Sequence, residues 1–245
     1  MTELQGAAIA PSVAPGAPDK SAIRDAATVL VVRRDSAGPR VLMGMRGAGA
    51  AFMPSKYVFP GGAVDAADAE VPLGSTLGEI CARRLGAEAP AGRSAALAAA
   101  AVRELWEETG QILGAPGLWP GAIPPDWAGF AAAGHRPAAA PLRFVFRAIT
   151  PPGRPRRFDA RFFLLDAADL STDPEDFSAA CDELSHLHWV PMAEARALNL
   201  PFITEVVLAE VQAYLAEAGP GPLPAPASVP FFDNSGPFSV FRRID

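Results

Sequence analysis

The chain has 245 residues, a formal net charge of −6, and apolar residues at half of its positions, which is ample material for the core of one large domain. The sequence has no cluster of basic residues to set against this net negative charge. This argues against a protein that binds nucleic acid by neutralising its phosphates. Two cysteines, Cys81 and Cys181, are too few for a disulfide framework and favour a reducing compartment. No basic segment followed by an apolar stretch opens the chain, and no apolar run approaches the ~20 residues of a membrane span. We therefore expect a cytoplasmic protein with neither nucleic acid nor membrane as a partner.

The first part of the chain divides into a tail, a hairpin and a loop. Residues 1–20 are rich in Ala, Pro and Gly without apolar periodicity, which predicts disorder. Residues 26–33 and 40–45 are short apolar runs around turn-forming residues, and they predict two strands in a hairpin. A glycine-marked loop then leads to Gly61 and Gly62. Glycine reaches backbone angles that other residues avoid, so a carbonyl at this pair can face a metal ion closely.

A helix is predicted from Ser94 to Thr109, because this run contains neither Pro nor Gly and stops at Gly110. Glu104, Glu107 and Glu108 then stand at positions i, i+3 and i+4, on one face of the helix. Their charges repel, and Arg103 can offset part of that repulsion. An Mg²⁺ ion held by carboxylates and substrate phosphate would offset more. The residues alone leave two interpretations open, a metal site or a solvated acidic face.

Two segments together resemble the sequence signature of the Nudix hydrolases, G-x5-E-x7-R-E-U-x-E-E-x-G-U, where U is a bulky apolar residue. They are Phe59-Pro60-Gly61-Gly62-Ala63-Val64-Asp65 and Arg103-Glu104-Leu105-Trp106-Glu107-Glu108-Thr109-Gly110. The helix half matches, with Ile112 one place late because Gln111 holds the apolar position. Arg103 follows Gly62 by 41 positions instead of 14, a surplus of 27, so we expect an insertion at about residues 66–92. Counting back eight from Arg103 reaches Ala95, so the first Glu of the signature is expected to be absent.

Within that family, the chain resembles the coenzyme A diphosphatase-like branch. The resemblance is carried by residues 52–54, 58–65 and 156–163 and by the interrupted signature. A stricter coenzyme A motif is met by Arg46 and by Phe59-Pro60-Gly61-Gly62, whereas Ala51 and Ser55 depart from it. The resemblance implies coenzyme A or an acyl ester as substrate. Another Nudix substrate, such as ADP-ribose, a dinucleotide or a damaged nucleoside triphosphate, and a non-catalytic nucleotide-binding module remain alternatives.

The resemblance also implies the fold, the reaction and the site. The fold is α/β, a mixed sheet between helices, and the reaction is hydrolysis of a pyrophosphate bond in a small nucleotide-type substrate, with Mg²⁺ or Mn²⁺ as cofactor. The implied metal ligands are Glu104, Glu107, Glu108 and the Gly62 carbonyl. The implied catalytic residues are Glu104, Arg103 and Glu183. Arg46, Arg156, Arg157 and Arg161 are candidates to bind substrate, since guanidinium groups bind phosphate oxygens through two hydrogen bonds. For Arg156 and Arg161, a solvated loop with salt bridges is the alternative.

Several further elements are predicted outside the signature. Thr76 and Glu79 form a capping-box pattern, which predicts a helix that ends at Gly86 and forms a lid or packing appendage, with a substrate reader as the alternative. Residues 126–133, 191–198 and 204–218 are expected to be helical, and residues 141–149, 158–165 and 184–189 to be strands. We take residues 21–218 as the Nudix domain.

The C-terminal residues 219–245 are Pro-rich but not uniformly polar. Their apolar residues are Phe231, Phe232, Phe238, Val240 and Phe241. A free tail would leave these side chains in water, so we expect the segment to dock on the domain or on a second subunit, which would make the protein a homodimer.

Overall fold

The computed structural model describes residues 22–50 and 52–245, so the predicted disorder of residues 1–20 and the departure at Ala51 lie outside the described residues. The strands are β1 (Ile23–Asp35), β2 (Gly38–Arg46), β3 (Tyr57–Val58), β4 (Gly61–Ala63), β5 (Gly114–Pro116), β6 (His135–Pro137), β7 (Arg143–Ile149), β8 (Arg157–Asp166), β9 (Leu184–Pro191), β10 (Val229–Asp233) and β11 (Val240–Ile244). The α-helices are α1 (Glu79–Gly86), α2 (Arg93–Thr109), α3 (Ala128–Ala132) and α4 (Phe202–Ala218). Short 3-10 helices cover Ala66–Glu70, Pro125–Trp127, Ala167–Asp169 and Ala195–Ala197.

Strand β1 is the centre of a nine-stranded mixed sheet in the order β11-β10-β7-β8-β1-β2-β3. It runs parallel to β8 along its length, and its other edge pairs antiparallel first with β4 and then with β2. Strand β9 pairs with β2, while β5 and β6 form a separate two-stranded sheet. The pairing of β4 with β1 fixes the glycine pair beside the middle of the sheet.

Helices α2 and α4 cover opposite faces of the sheet. The alanine run at positions 98–101 of α2 is fully buried against the face that includes Val29 and Phe163. Val207 and Val211 of α4 pack on the other face, against Leu30 and Phe146. Small side chains let α2 approach the strands closely, and apolar burial on both faces holds the layers together. The predicted α/β arrangement, a mixed sheet between helices, is confirmed.

Most local predictions are confirmed, and two are wrong. Residues 191–198 are not a helix: Pro191 ends β9, and only the 3-10 helix Ala195–Ala197 follows, because Met192 and Ala195 pack into the core on the α4 side. The capping box is also misplaced, since α1 begins at Glu79 after Gly78 with no side-chain cap. The reciprocal capping bonds instead join Asp65 and Asp68.

The C-terminal segment adds the last two strands to the sheet. Strand β10 pairs parallel with β7, and β11 pairs antiparallel with β10. Arginine side chains hold the preceding Pro-rich chain by its carbonyls: Arg84 of α1 donates to Pro226 O at 2.6 Å and Ala227 O at 2.5 Å, and Arg143 donates to Leu223 O at 2.6 Å. No helix in the described ranges is long and apolar enough to cross a membrane.

Candidate functional site

The glycine pair of β4 lies against the C-terminal half of α2. A Cβ atom on Gly62 would lie 2.4 Å from Glu104 Oε1, so a side chain here would displace that carboxylate from its place beside the strand. The Gly61 N–H donates a hydrogen bond of 2.7 Å to Glu108 Oε2. Helix α2 ends immediately beyond, where Gly110 takes a left-handed conformation with φ of 72°. Two separate parts of the sequence are thereby brought into one site.

Arg103 is the cationic centre of this site. Its Nη1 donates to Glu104 Oε1 at 2.9 Å and to Glu107 Oε2 at 3.0 Å. Its Nε and Nη2 donate to the two carboxylate oxygens of Asp68, both at 3.0 Å, in a bidentate pair. A further bond of 3.0 Å reaches the carbonyl of Ala63, the residue after the glycine pair. Arg103 therefore fixes two glutamates of α2 relative to β4.

Asp68 corrects the expectation that the first acidic residue of the signature is absent. It stands six positions after Gly62, which is the place of that Glu when the pattern is counted from its glycine. It is almost fully buried, accepts the Asp65 N–H at 2.8 Å, and binds Arg103. From the sequence, Asp65, Asp68 and Glu70 were the candidates to replace that Glu, and only the count forward from Gly62 selects Asp68 among them.

Burial raises the pKa values of the three helix glutamates. Burial is the largest cause for Glu104, whose pKa rises to about 7 although Arg103 acts in the opposite direction. The pKa of Glu107 is also raised by burial, and that of Glu108 is raised well above its usual range by burial despite the Gly61 hydrogen bond. Glu108 Oε1 is buried without a hydrogen-bond partner. Arg103 bonds to Glu104 and Glu107 but not to Glu108, so the negative charge of the three glutamates is under-compensated.

Comparison with known proteins shows which fold the chain has and which proteins it is similar to. No family model matches the chain. Nudix hydrolase 7 of Caenorhabditis elegans, a curated protein, is 31% identical over 185 residues, which are 71% of this chain and 53% of that protein. The crystal structure of a NUDIX hydrolase from Alicyclobacillus acidocaldarius aligns with a TM-score of 0.57 and 28% identity over 79% of this chain and 92% of its own. The chain has the Nudix fold and is similar in sequence to Nudix hydrolases. RenU, a Nudix hydrolase from M. smegmatis, aligns with a TM-score of 0.45 and 15% identity over 81% of this chain and 89% of its own. The chain spans about half the length of the curated relative.

Arg46 and Glu183 border the Nudix helix. Arg46, at the end of β2, donates to Glu183 Oε1 at 2.8 Å. The positive charge of Arg46 opposes the rise in the pKa of Glu108, while the negative charge of Glu183 adds to the rise for both Glu104 and Glu108. The loop that carries Glu183 is tied to the end of the Nudix helix, since the Cys181 N–H donates to Glu107 O at 2.8 Å. The structure therefore places both residues beside the C-terminal end of the Nudix helix.

The other candidate arginines lie elsewhere. Arg161 is buried and ion-paired with Asp25 and Asp159, so it has no exposed guanidinium face for a substrate. Arg157 donates to the carbonyls of Thr150 at 3.0 Å and Asn234 at 2.9 Å, and it anchors the C-terminal segment. Arg156 is exposed on the loop before β8. The structure therefore brings Arg46, and not Arg157 or Arg161, to the carboxylates of the Nudix helix.

The donor chemistry of the site fits a hard divalent cation. Its groups are carboxylate oxygens, which Mg²⁺ and Mn²⁺ prefer, and one of them, Glu108 Oε1, is buried without a partner. As the side chains stand, no group of three or more His, Cys, Asp or Glu residues in the described part of the chain is arranged around one point. The hydrogen bonds of Arg103 account for this, because they turn Glu104 and Glu107 toward its guanidinium. Glu108 is the carboxylate that these bonds leave free.

Proposed function

We propose that the protein hydrolyses a pyrophosphate bond in a small substrate that contains a nucleoside diphosphate, with Mg²⁺ or Mn²⁺ as its cofactor. The observation that supports this proposal is the under-compensated charge of Glu104, Glu107 and Glu108 beside the glycine pair. A bound divalent cation supplies electrostatic stabilisation of the charge on the phosphate oxygens. Pyrophosphate resists attack because its own charge repels a nucleophile, so neutralisation is the main requirement of the reaction.

The residues of the chain have separate tasks in this proposal. Glu104, Glu107 and Glu108 hold the cation together with the carbonyl of Gly62. Arg103 and the Gly61 N–H position these carboxylates, since each binds one or more of them directly. The proposed general base is Glu183, which accepts the proton of the attacking water. The Glu183 carboxylate is half exposed, and its salt bridge with Arg46 holds it at the edge of the site.

The substrate we propose is coenzyme A or an acyl-coenzyme A. Its 3′-phosphate needs a local cation in an acidic protein, and Arg46 has its guanidinium beside the carboxylates and matches the arginine of the coenzyme A motif. With Arg157 and Arg161 engaged in other bonds, Arg46 and Arg156 are the candidates left to contact the substrate. ADP-ribose is the alternative substrate at the same site.

The activity is tested by incubating the protein with a panel of nucleoside diphosphate conjugates and Mg²⁺ or Mn²⁺, and identifying the products by mass. The panel contains coenzyme A, dephospho-coenzyme A, ADP-ribose and a dinucleoside polyphosphate. The expected products of coenzyme A are 3′,5′-ADP and 4′-phosphopantetheine, with kcat/KM on dephospho-coenzyme A lower by roughly 10- to 100-fold, the value of one charge-assisted hydrogen bond. Equal rates on these two would show that the 3′-phosphate is not recognised. Faster cleavage of ADP-ribose would reassign the substrate, and no cleavage of any conjugate would refute the hydrolase.

The roles of Glu183 and Glu108 are separated by a matched pair of Glu→Gln variants. Glu183→Gln should lower kcat by roughly 10²- to 10⁴-fold, the usual contribution of a general base, and leave Mn²⁺ affinity unchanged. Glu108→Gln should weaken Mn²⁺ binding as well as turnover. The measurements are steady-state kinetics and titration of free Mn²⁺ by electron paramagnetic resonance. Near wild-type turnover of Glu108→Gln at saturating Mg²⁺ would remove Glu108 from the metal site.

A further inference from the structure

Strand β11 forms the outer edge of the sheet. Among the described residues it pairs with β10 on one side, and no strand lies on its other side. Its first two residues, Val240 and Phe241, are about half exposed, and Phe238 just before them is 80% exposed. An edge strand with apolar side chains is a template for pairing with another strand, and proteins normally protect such an edge with charges, proline or a covering loop.

The pairing with β10 determines which backbone groups face outward. Val229 pairs with Ile244 and Phe231 with Arg242, and Pro230 lies opposite Arg243. Antiparallel pairs alternate between those that exchange hydrogen bonds and those that do not. Pro230 has no N–H to exchange, so the bonded pairs are those of Val229 and Phe231. The N–H and C=O groups of Phe241 and Arg243 must then point to the open edge.

We propose that a second copy of this chain binds along the open edge of β11, antiparallel and related by a two-fold axis through Arg242. In this register Phe241 of each copy lies opposite Arg243 of the other. These are the two residues whose backbone groups face outward, so both pairs exchange N–H···O bonds, four in all. The interface is isologous, as in most homodimers, and it joins the two sheets into one continuous sheet.

The side chains of β11 are complementary to themselves in this register. Phe241 and Arg243 lie on the α4 face and would pair as an aromatic ring with a guanidinium. The same kind of contact already exists within one copy, because the Arg242 guanidinium lies 4.3 Å from the ring centre of Phe231, its partner residue on β10. On the other face, Val240 of one copy lies opposite Ile244 of the other. Ile244 is already buried within its own copy, so the apolar surface that the pairing newly buries is that of Val240 on this face and Phe241 on the other.

Arg242 faces its own counterpart at the two-fold axis, where like charges would repel. Its charge is already compensated within each copy, because its guanidinium binds Glu88 at 2.6 Å and Asp233 at 3.3 Å. These contacts and the stacking on Phe231 turn the side chain back toward β10. The repulsion at the axis is thereby reduced, and the register centred on Arg242 is retained.

The dimer is tested by sedimentation velocity on the full chain from about 1 to about 100 µM, a range that covers weak homotypic affinities. The wild type should be dimeric at the upper end. Phe241→Pro removes an outward N–H from each copy and leaves the bonds to β10 intact, so the dimer dissociation constant should rise on the order of 100-fold. Phe241→Lys keeps the backbone N–H but places a lysine opposite Arg243 of the other copy. The two positive charges repel, so this variant should also be monomeric. Leu118→Ser, which removes an apolar side chain that is 91% exposed on a distant loop, is the matched control and should leave the dimer intact. The proposal would be overturned if the wild type stays monomeric over this range, or if neither Phe241 variant weakens the dimer.

The register is tested by disulfide trapping in a Cys181→Ser background. Residues opposite each other in a non-bonded antiparallel pair have Cα atoms about 4.5 Å apart, within the roughly 4.4–6.8 Å that a disulfide spans. Arg242→Cys should therefore form a covalent dimer under mild oxidation. Arg243→Cys should not, because its counterpart is displaced by two residues along the strand, a rise of ~7 Å. Efficient crosslinking of Arg243→Cys, or of neither variant, would refute the register.

Discussion

Two clusters of paired arginines and carboxylates lie on the α2 face of the sheet, and they differ in charge balance. The signature cluster consists of Arg103 with Asp68, Glu104, Glu107 and Glu108. The sheet cluster consists of Arg93, Arg147, Arg161 and Arg242 with Asp25, Glu88, Asp159 and Asp233. In the signature cluster Arg103 alone pairs with Asp68, Glu104, Glu107 and, at 3.8 Å, Asp65, and among the described residues Glu108 has no arginine bonded to it. In the sheet cluster four arginines pair with four carboxylates.

The difference in balance appears in the pKa values of the carboxyl groups. In the signature cluster burial prevails, and the pKa of Glu104 rises to about 7. In the sheet cluster the hydrogen bond from Arg242 lowers the pKa of Glu88, and the bonds from Ser235 and Arg242 outweigh burial to lower that of Asp233. Carboxylates that the protein neutralises itself stabilise the fold, while those left with excess charge are available to a cation. The comparison therefore separates a cluster whose charges are balanced within the fold from the cluster to which we assign the proposed metal site.

The largest expected effect is on stability, from Asp159→Asn in the sheet cluster. Asp159 binds Arg147 through two bonds of 2.9 and 2.7 Å and also pairs with Arg161, so its loss leaves two buried arginines short of a counter-charge. The free energy of unfolding should fall by roughly 3–5 kcal/mol, measured by urea denaturation, with Mn²⁺ affinity unchanged. The exposed Asp35→Asn is the control and should change stability by less than about 0.5 kcal/mol. Lost Mn²⁺ binding in folded Asp159→Asn would mean that the two clusters are not separate.

Next in size is the effect of Asp68→Asn on the site. The change removes the bidentate partner of Arg103, so the guanidinium no longer holds Glu104 and Glu107 in place. Metal affinity and kcat should fall by roughly 10- to 100-fold, as for other residues that orient metal ligands. Asp68→Glu restores the carboxylate and should recover most of the loss. Wild-type Mn²⁺ affinity in Asp68→Asn would show that Asp68 does not position the ligands.

A smaller effect of opposite sign is expected for Glu108→Gln in metal-free protein. The folded state raises the pKa of Glu104 and Glu108, so their protonated forms favour folding. This contribution is full below the unfolded pKa of about 4.3 and is lost as the pH rises, for Glu104 toward about 7. Glutamine is neutral throughout, so at pH 8 with a chelator the variant should melt higher than the wild type, by roughly 2–4 °C per kcal/mol of stability gained. The difference should shrink at pH 5, and a lower melting temperature at pH 8 would contradict the excess charge.

The smallest effect is expected for Glu88→Gln at the exposed rim of the sheet cluster. The Glu88 side chain is 54% exposed, so solvent screens its bonds to Arg147 and Arg242. Its lowered pKa means that its contribution to stability is present above the unfolded pKa and is lost as the pH falls. Stability at pH 7 should fall by less than about 1 kcal/mol, and less still in high salt. A salt-independent loss above that value would show that Glu88 is an integral part of the cluster.

The sequence by itself determined the elements whose signals are local. Helix α2 lies where an alanine-rich run without Pro or Gly predicted it, and its three glutamates share one face because helical spacing requires it. The signature residues also pointed to the Nudix fold, and Glu183 directly precedes β9 as its place in the sequence predicted.

Only the tertiary structure decided the partners of the charged side chains. Asp68 and Arg103 are 35 positions apart, and Arg161 and Asp25 are 136 apart, so neither pairing has a local signal. Arg161 was assigned to substrate because an arginine near a loop has the same sequence pattern whether it is solvated or buried in an ion pair. The open edge of β11 likewise depends on which strand lies beside which, since hydrogen bonds between strands are made across the chain and not along it.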